Sequence, residues 1–340
     1  MKINKYSASQ IDTFLSCRKK YYYSKILNIQ PVERPEALDF GSAVHRGLAS
    51  ILRSIANTDE CNRESDRAIN AREIAREYAL QAVREYCEEY ALSEESQCKA
   101  IALIDSYIDL YFLEDLQNFD VLCVETYFDV PFAKSNDTES HLHGYFDGII
   151  KNRHDGKIYV IEHKTTGMLN DSYLDRAKID WQVMIYILAC TTVYGRCDGV
   201  IYDVISKPKH IMSVGETDEE FEARKAASKT GRIKRKEAES KEEFISRMQA
   251  SFSEESFTRD TITIEPVEYG IRIAELTWVL NDMREIDNPI RYYKCTGNCL
   301  KFGACPYMDL CGGKVTVDNL GDKYINCNEE NNNERDRTGY

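Results

Sequence analysis

No uninterrupted apolar stretch in this 340-residue sequence approaches the roughly 20 residues that a bilayer-spanning helix needs. The opening MKINKYSASQ lacks the apolar core of a secretory leader, so the expectation is no signal peptide, no membrane and a cytoplasmic location. Positive charge is not in excess either. Lys and Arg number 44 against 57 Asp and Glu, a formal net charge of −13, which argues against a protein that coats nucleic acid by bulk charge. Collagen-like and wholly disordered chains are excluded by 43% apolar residues. There is no internal repeat and no G-x-x-x-x-G-K-[ST] phosphate-binding loop.

Cysteine, by contrast, is plentiful. Twelve are many for a chain with no export signal, and in a reducing cytosol clustered cysteines point first to metal. Cys61, Cys87, Cys98, Cys123, Cys190 and Cys197 stand singly in apolar or helical patterns and read as small packed hydrophobes. The segment RYYKCTGNCLKFGACPYMDLC differs, with Cys295, Cys299, Cys305 and Cys311 inside 17 residues and Gly297, Gly303 and Pro306 suiting a loop around a metal centre. Only the first gap resembles a zinc knuckle. Iron–sulfur clusters accept irregular spacing and a distant fourth thiolate, for which Cys17 in FLSCRKKYYY is a candidate. Joining Cys17 to the C-terminal group would close almost the whole chain into one loop and restrict the unfolded state.

Periodicity supplies the frame. A short helix capped by Ser7 or Ser9 runs to about Cys17. A second covers about Gly41 to Ala56, and an acidic helical stretch follows through Ile69, Ile74, Tyr78, Val83 and Tyr86. Another helix covers about Glu95 to Leu116. The period then becomes two: VLCVETYFDV, HLHGYFDGIIKN and KIYVIEHKTT read as strands, with RHDG the hairpin turn between the last two. A helix over about Asp180 to Tyr194 is apolar nearly all round, and DGVIYDVIS reads as a further strand. From Arg224 to Lys236 seven residues are basic and none acidic (Arg224, Lys225, Lys229, Arg232, Lys234, Arg235 and Lys236), which reads equally as a solvated face or a phosphate-contacting lid. TITIEPV reads as a late strand, EYGIRIAELTWVLNDMREI as an amphipathic helix, and residues 318–340 as a polar, disordered tail.

The chemistry falls in the three strands. Glu162 and Lys164 are two positions apart and share a strand face, and the RHDG hairpin brings Asp147 toward Glu162. Two hard carboxylates suit Mg²⁺ or Mn²⁺ with waters and a substrate phosphate, and Lys164 is placed to orient a water or stabilise charge on the phosphate. Taken alone, the pattern equally fits an ordinary Glu162–Lys164 salt bridge. His45, closing GSAVH, could complete a metal site, and Glu125 on the first strand offers another carboxylate. Gln182 and Tyr186 meet one helical turn apart. By strand alternation the His163 side chain points away from Glu162 and Lys164 and reads as packing. His141 and His143 share the face of Asp147 and read as channel lining or plain strand residues, and Tyr22 and Tyr23 read as core ahead of a stacking surface for single-stranded bases.

Together, SASQIDTFLSCRKKYYY, GSAVH, GYFDG, IEHKT, QVMIY and CLKFGACPYMDLC resemble the PD-(D/E)XK nuclease superfamily, in its RecB-like branch with an iron–sulfur cluster. The AddB nuclease domain, the CRISPR-associated iron–sulfur exonucleases and stand-alone phage and bacterial relatives belong to that branch. The resemblance runs from Ser7 to Cys311 and implies an α/β fold, a restriction-endonuclease-like αβββαβ core with a mixed central sheet. It implies a helical insertion over about 56–117 and one nuclease domain over 1–317 whose N- and C-terminal segments are joined by the cluster. It further implies metal binding by His45, Asp147, Glu162 and the main-chain carbonyl of His163. Lys164 is the implied catalytic lysine, and Gln182 and Tyr186 support the site and contact DNA. Cys17, Cys299, Cys305 and Cys311 match the ligands of a 4Fe-4S cluster, with Cys295 surplus and zinc the lesser alternative. Arg18 after Cys17 and Phe146 before Asp147 stand where the family often has, or its name promises, proline.

The activity so implied is a Mg²⁺- or Mn²⁺-dependent deoxyribonuclease, an exonuclease on DNA ends or single strands, of use in DNA repair or recombination. Expected partners are DNA and a separate helicase, recombination or CRISPR protein. The competing expectation is a nonenzymatic DNA-end-binding or assembly module that keeps the fold.

Overall fold

Ser7 and Gln10 close a capping box: Ser7 Oγ accepts from the Gln10 N–H (3.3 Å) and Gln10 Oε1 from the Ser7 N–H (3.1 Å). That starts helix α1 (Ala8–Ser16), directly after strand β1 (Lys2–Tyr6). The computed structural model describes residues 2–63, 65–134, 137–228, 233–286, 288–301 and 303–330. Next come α2 (Arg18–Tyr21), a short strand β2 (Ile29–Pro31) and three long helices, α3 (Glu36–Ala56), α4 (Ser65–Glu89) and α5 (Glu94–Asn118). Helix α3 begins before the expected Gly41, because Glu36 and Asp39 place negative charge in its first turn, where the helix dipole favours it. Gly47 lets α3 settle against its neighbours. A Cβ there would lie 2.7 Å from Ile104 Cγ1 and 2.9 Å from Val83 Cγ2.

The period-two segments form β3 (Phe119–Lys134), β4 (Thr138–Asn152) and β5 (Ile158–Thr166). Helices α6 (Asp171–Ala177) and α7 (Trp181–Tyr194) lead to β6 (Gly199–Ser206). Then follow α8 (Asp218–Ala227), α9 (Lys241–Gln249), β7 (Phe257–Ile262), α10 (Pro266–Glu285), α11 (Met308–Cys311) and β8 (Tyr324–Asn326). The late strand starts earlier than TITIEPV suggested and stops before Pro266, which instead occupies the first turn of α10.

The sheet runs β1-β4-β5-β6-β7, with β3 on β4. Pairing is parallel for β1–β4 and β5–β6 and antiparallel for the rest, so the expected αβββαβ order and mixed sheet are present. Because β3 lines one edge of β4, β1 and β5 share the other. There β1 pairs with residues 138–142 and β5 with 148–151. Residues 143–147 lie between the two partners, and the sheet forks at Asp147. Strand β1 escaped the sequence reading because a five-residue edge strand with two lysines looks like a polar loop.

One core packs Phe146, Ile149 and Val160 against Val183, Met184 and Tyr186 of α7. On the other face Leu52 of α3 covers Ile150 and Ile161. The helical layer has its own core of Val44, Leu48 and Ile51 with Val83, Leu103 and Ile104. Tyr22 stacks on Tyr292 at 4.9 Å and Tyr23 is buried beside Tyr307, so both pack as the sequence suggested.

The region expected as a disordered tail from residue 318 folds in part. Strand β8 pairs with β2, and Tyr324 is buried with its hydroxyl donating to the Pro306 carbonyl (2.6 Å). Residues 331–340 lie outside the described residues. In the basic stretch, Arg224 pairs with Glu216, Arg235 with Asp218 and Lys225 with Glu222, which favours a locally neutralised surface over a lid. Lys229 and Arg232 of that stretch lie outside the described residues. No helix among the described residues is long and apolar enough to cross a membrane.

Candidate metal and catalytic site

The fork in the sheet builds the site. Where β4 and β5 part, the Asp147 carboxylate replaces the missing strand contact, and Oδ2 accepts from the His163 backbone N–H (2.8 Å). Next to it Gly148 admits α3 closely: a Cβ would meet Leu52 Cδ1 and Ile161 Cγ2 at 2.8 Å. This close approach sets His45 over the fork, with Nδ1 3.5 Å from Asp147 Oδ2. On β3, Glu125 lies opposite Asp147 by the register that pairs Val124 with Gly148 and Thr126 with Phe146. Its φ of 46° is left-handed, a conformation that costs a non-glycine residue about 1–2 kcal/mol. Such strain at one carboxylate beside another is the kind that persists at functional sites. Ligand atoms of His45, Glu125 and Asp147 all lie within 4.8 Å of one another.

Glu162 and Lys164 reach the same opening from β5. Lys164 Nζ donates to Glu162 Oε1 and to Gln182 Oε1, the latter at 2.7 Å. Gln182 Nε2 donates to the Tyr186 hydroxyl (2.7 Å), which donates to the Tyr145 carbonyl inside the unpaired gap of β4 (2.9 Å). Asp180 caps α7 by accepting from the Gln182 N–H (2.8 Å) and so sets the start of this chain of contacts. The expected pairing of Gln182 and Tyr186 is therefore present, and its partner is Lys164.

Three carboxylates face one lysine and one histidine. Burial and the charge of Asp147 push the Glu162 carboxyl up to about 7, against the pull of Lys164. Burial acts the same way on Asp147, but His45, His163 and Lys164 outweigh it and hold that carboxyl down to about 2. His45 loses basicity through burial and regains more from Asp147 and Glu162, so its net shift is upward. Glu162 Oε2 is buried and makes no hydrogen bond among the described residues. Excess buried acid with an unsatisfied oxygen is the donor chemistry a hard divalent cation satisfies, so the residues fit one.

The compact ligand set is His45, Glu125 and Asp147, whereas Glu162 is tied to Lys164. Glu125 thus matters more than its place in the sequence suggested, and the signal was its register opposite Asp147. The His163 side chain turns away as expected. Its Nδ1 meets Asp203 Oδ2 at 3.1 Å in a second buried cluster, where Arg259 binds Asp203 (3.1 Å) and both oxygens of Asp115 (2.6 and 2.8 Å). The Tyr107 hydroxyl donates to the same Asp203 oxygen. His141 is held by Asp129 (2.6 Å), while His143 is half-buried beside Tyr127.

Cys305 and Cys311 pack against the core of Ile29, Tyr307, Leu310 and Tyr324. The Cys295 N–H points to Cys17 Sγ (3.5 Å). Burial raises the Cys311 thiol, as do the neighbouring thiols Cys17, Cys305 and Cys299, against the charge of Lys294.

The sequence model of the PD-(D/E)XK nuclease superfamily matches residues 5–312 of this chain. The chain belongs to that superfamily. Its members are generally nucleases that use Mg²⁺ or Mn²⁺, and the His45, Glu125 and Asp147 cluster lies within the matched span. The solved structure of SSO0001 is similar over 79% of this chain and 95% of its own, at 16% identity and a TM-score of 0.28, too low to carry an argument. No curated protein matches the chain.

Proposed function

We propose that this member of the superfamily is a divalent-metal-dependent deoxyribonuclease of the RecB-like branch, acting as an exonuclease on DNA ends or single strands. The observation that carries the reading is the forked sheet, which gathers Glu125, Asp147, Glu162, His45 and Lys164 at one opening. His45, Glu125 and Asp147 would hold the cation, with Glu162 and the His163 carbonyl as further donors. When bound, the metal would polarise a scissile phosphate and acidify a water. Lys164, oriented by Gln182 and Glu162, presents its ammonium where charge on the phosphate can be offset. Keeping every acidic residue and the lysine favours an enzyme over a binding module that has lost its chemistry.

We further assign Cys17, Cys299, Cys305 and Cys311 to a structural 4Fe-4S cluster. Support comes from Cys305 and Cys311, which pack on the core of Ile29, Tyr307 and Tyr324 where β2 pairs with β8, and from the charge coupling of Cys17, Cys299 and Cys305 to Cys311. Irregular spacing and a ligand from the far end of the chain suit iron–sulfur better than zinc. Without a phosphate-binding loop in this sequence, unwinding of duplex DNA falls to a separate helicase or recombination protein.

The test uses end-labelled linear and covalently closed single-stranded DNA with Mg²⁺ or Mn²⁺, wild type against Asp147→Asn. Wild type should degrade linear DNA and spare circles, and the variant should degrade neither substrate. Equal cutting of circles overturns the exonuclease assignment, and equal activity of the two proteins overturns the site. Anaerobically purified protein should absorb broadly near roughly 400 nm, whereas a colourless, zinc-containing preparation overturns the cluster assignment.

A further inference from the structure

We propose that Tyr127 and Tyr145 form a stacking platform for the nucleobases of a DNA single strand led to the fork, and that it selects single-stranded over duplex substrate. The inference rests on the nuclease reading and names its substrate class. The two tyrosines are register partners on β3 and β4. Their chain neighbours Phe128 and Phe146 are buried, 4.5 Å apart, against Tyr186. Strand alternation therefore turns Tyr127 and Tyr145 to the opposite face, where they are 45% and 42% exposed. Their rings lie 5.3 Å apart, and the His143 ring extends the surface 6.1 Å beyond Tyr127.

This surface continues the reactive row. Glu125 and Asp147 precede Tyr127 and follow Tyr145 by two residues, one step of about 7 Å along the same pair of strands. A base seated on the tyrosines thus places its backbone beside the carboxylates. At the far end Lys5, ion-paired with Asp129 (2.5 Å), lies close to the Tyr127 hydroxyl, and Lys25 acts on His143. Aromatic faces with nearby cations are the sequence-tolerant way to hold single strands, because every base offers a π-face and duplex bases hide theirs.

Anisotropy titrations in EDTA would compare dye-labelled oligothymidylate with an abasic oligomer of equal length, for wild type, Tyr127→Ala/Tyr145→Ala and Tyr127→Phe/Tyr145→Phe. Wild type and the phenylalanine variant should prefer the base-bearing strand at least roughly tenfold. The alanine variant should bind both strands alike. An unchanged preference in the alanine variant, or none in wild type, overturns the platform. Should the alanine variant fail to fold, as judged by its thermal melt, wild type and the phenylalanine variant still decide: loss of preference in either overturns the proposal. Cleavage of the oligothymidylate by wild type with Mg²⁺ separates the two readings. Cleavage without base preference removes the platform alone, whereas no cleavage and no binding removes the nuclease reading with it.

Discussion

Strand β5 stands between two buried polar clusters made of similar residues. Toward the fork, Glu162 and Lys164 join Asp147, Glu125 and His45; on the other side, His163 joins Asp203, Tyr107, Asp115 and Arg259. In the second cluster a guanidinium answers the acids directly. Arg259 grips both oxygens of Asp115, donates to Asp203 and lies 3.7 Å over the Tyr111 ring. In the fork, one ammonium satisfies one oxygen of Glu162 and leaves the other without a hydrogen bond among the described residues. Asp203 Oδ1 is likewise without a hydrogen bond among the described residues, so the clusters differ in charge balance: Arg259 and His163 answer two acids, whereas Lys164 and His45 face three. The two clusters share a backbone strand, so His163 ties them: its N–H holds Asp147 while its ring holds Asp203.

The sharpest way to break the contrast is to remove the cation from the closed cluster. Arg259→Met leaves Asp115 and Asp203 buried without compensation and should cost ~3–5 kcal/mol in urea unfolding. Next, Asp147→Asn should lower cleavage by about 100-fold or more while costing less unfolding free energy than Arg259→Met. If the two variants exchanged these effects, the assignment of structural and reactive roles would be reversed.

A third measurement follows proton linkage in metal-free protein. Glu162 titrates near 7 in the fold against 4.5 for the ordinary side chain, so between those values the folded state holds more protons than the unfolded one. Its contribution to stability is complete below 4.5 and is lost as pH rises to about 7. Asp147, depressed from 3.8 to about 2, acts in the opposite sense, and its contribution is lost as pH falls through that lower range. Unfolding of Glu162→Gln in EDTA should therefore show a flatter pH profile than wild type between pH 4.5 and 7. An unaltered slope would place the proton elsewhere. The smallest effect belongs to Gln182→Met, which takes one acceptor from Lys164. A roughly tenfold fall in kcat with DNA affinity kept is expected, because a hydrogen bond to a charged group contributes about 1.5–3 kcal/mol.

Much of the site was legible because its parts obey local rules. Alternation placed Glu162 and Lys164 on one face and His163 on the other, and helical spacing set Gln182 beside Tyr186. Glu125 was visible as a carboxylate on β3, but its left-handed backbone and its convergence with His45 were not. Strand β1 and the β2–β8 ladder were missed, since three to five residues of mixed polarity carry no period. The Arg259 cluster was missed for another reason: its other members lie 56 to 152 positions before Arg259, and only the packing of α5 on the sheet unites them.

By itself, then, the sequence determined the αβββαβ order, the face of each strand residue and the residue types able to hold a cation, because these depend on spacing along one chain. Tertiary structure decided that β1 and β5 share an edge of β4, that the gap between them opens at Asp147, and which carboxylates are left short of donors. Those outcomes depend on how distant segments share one sheet edge, and spacing within a segment carries no record of that.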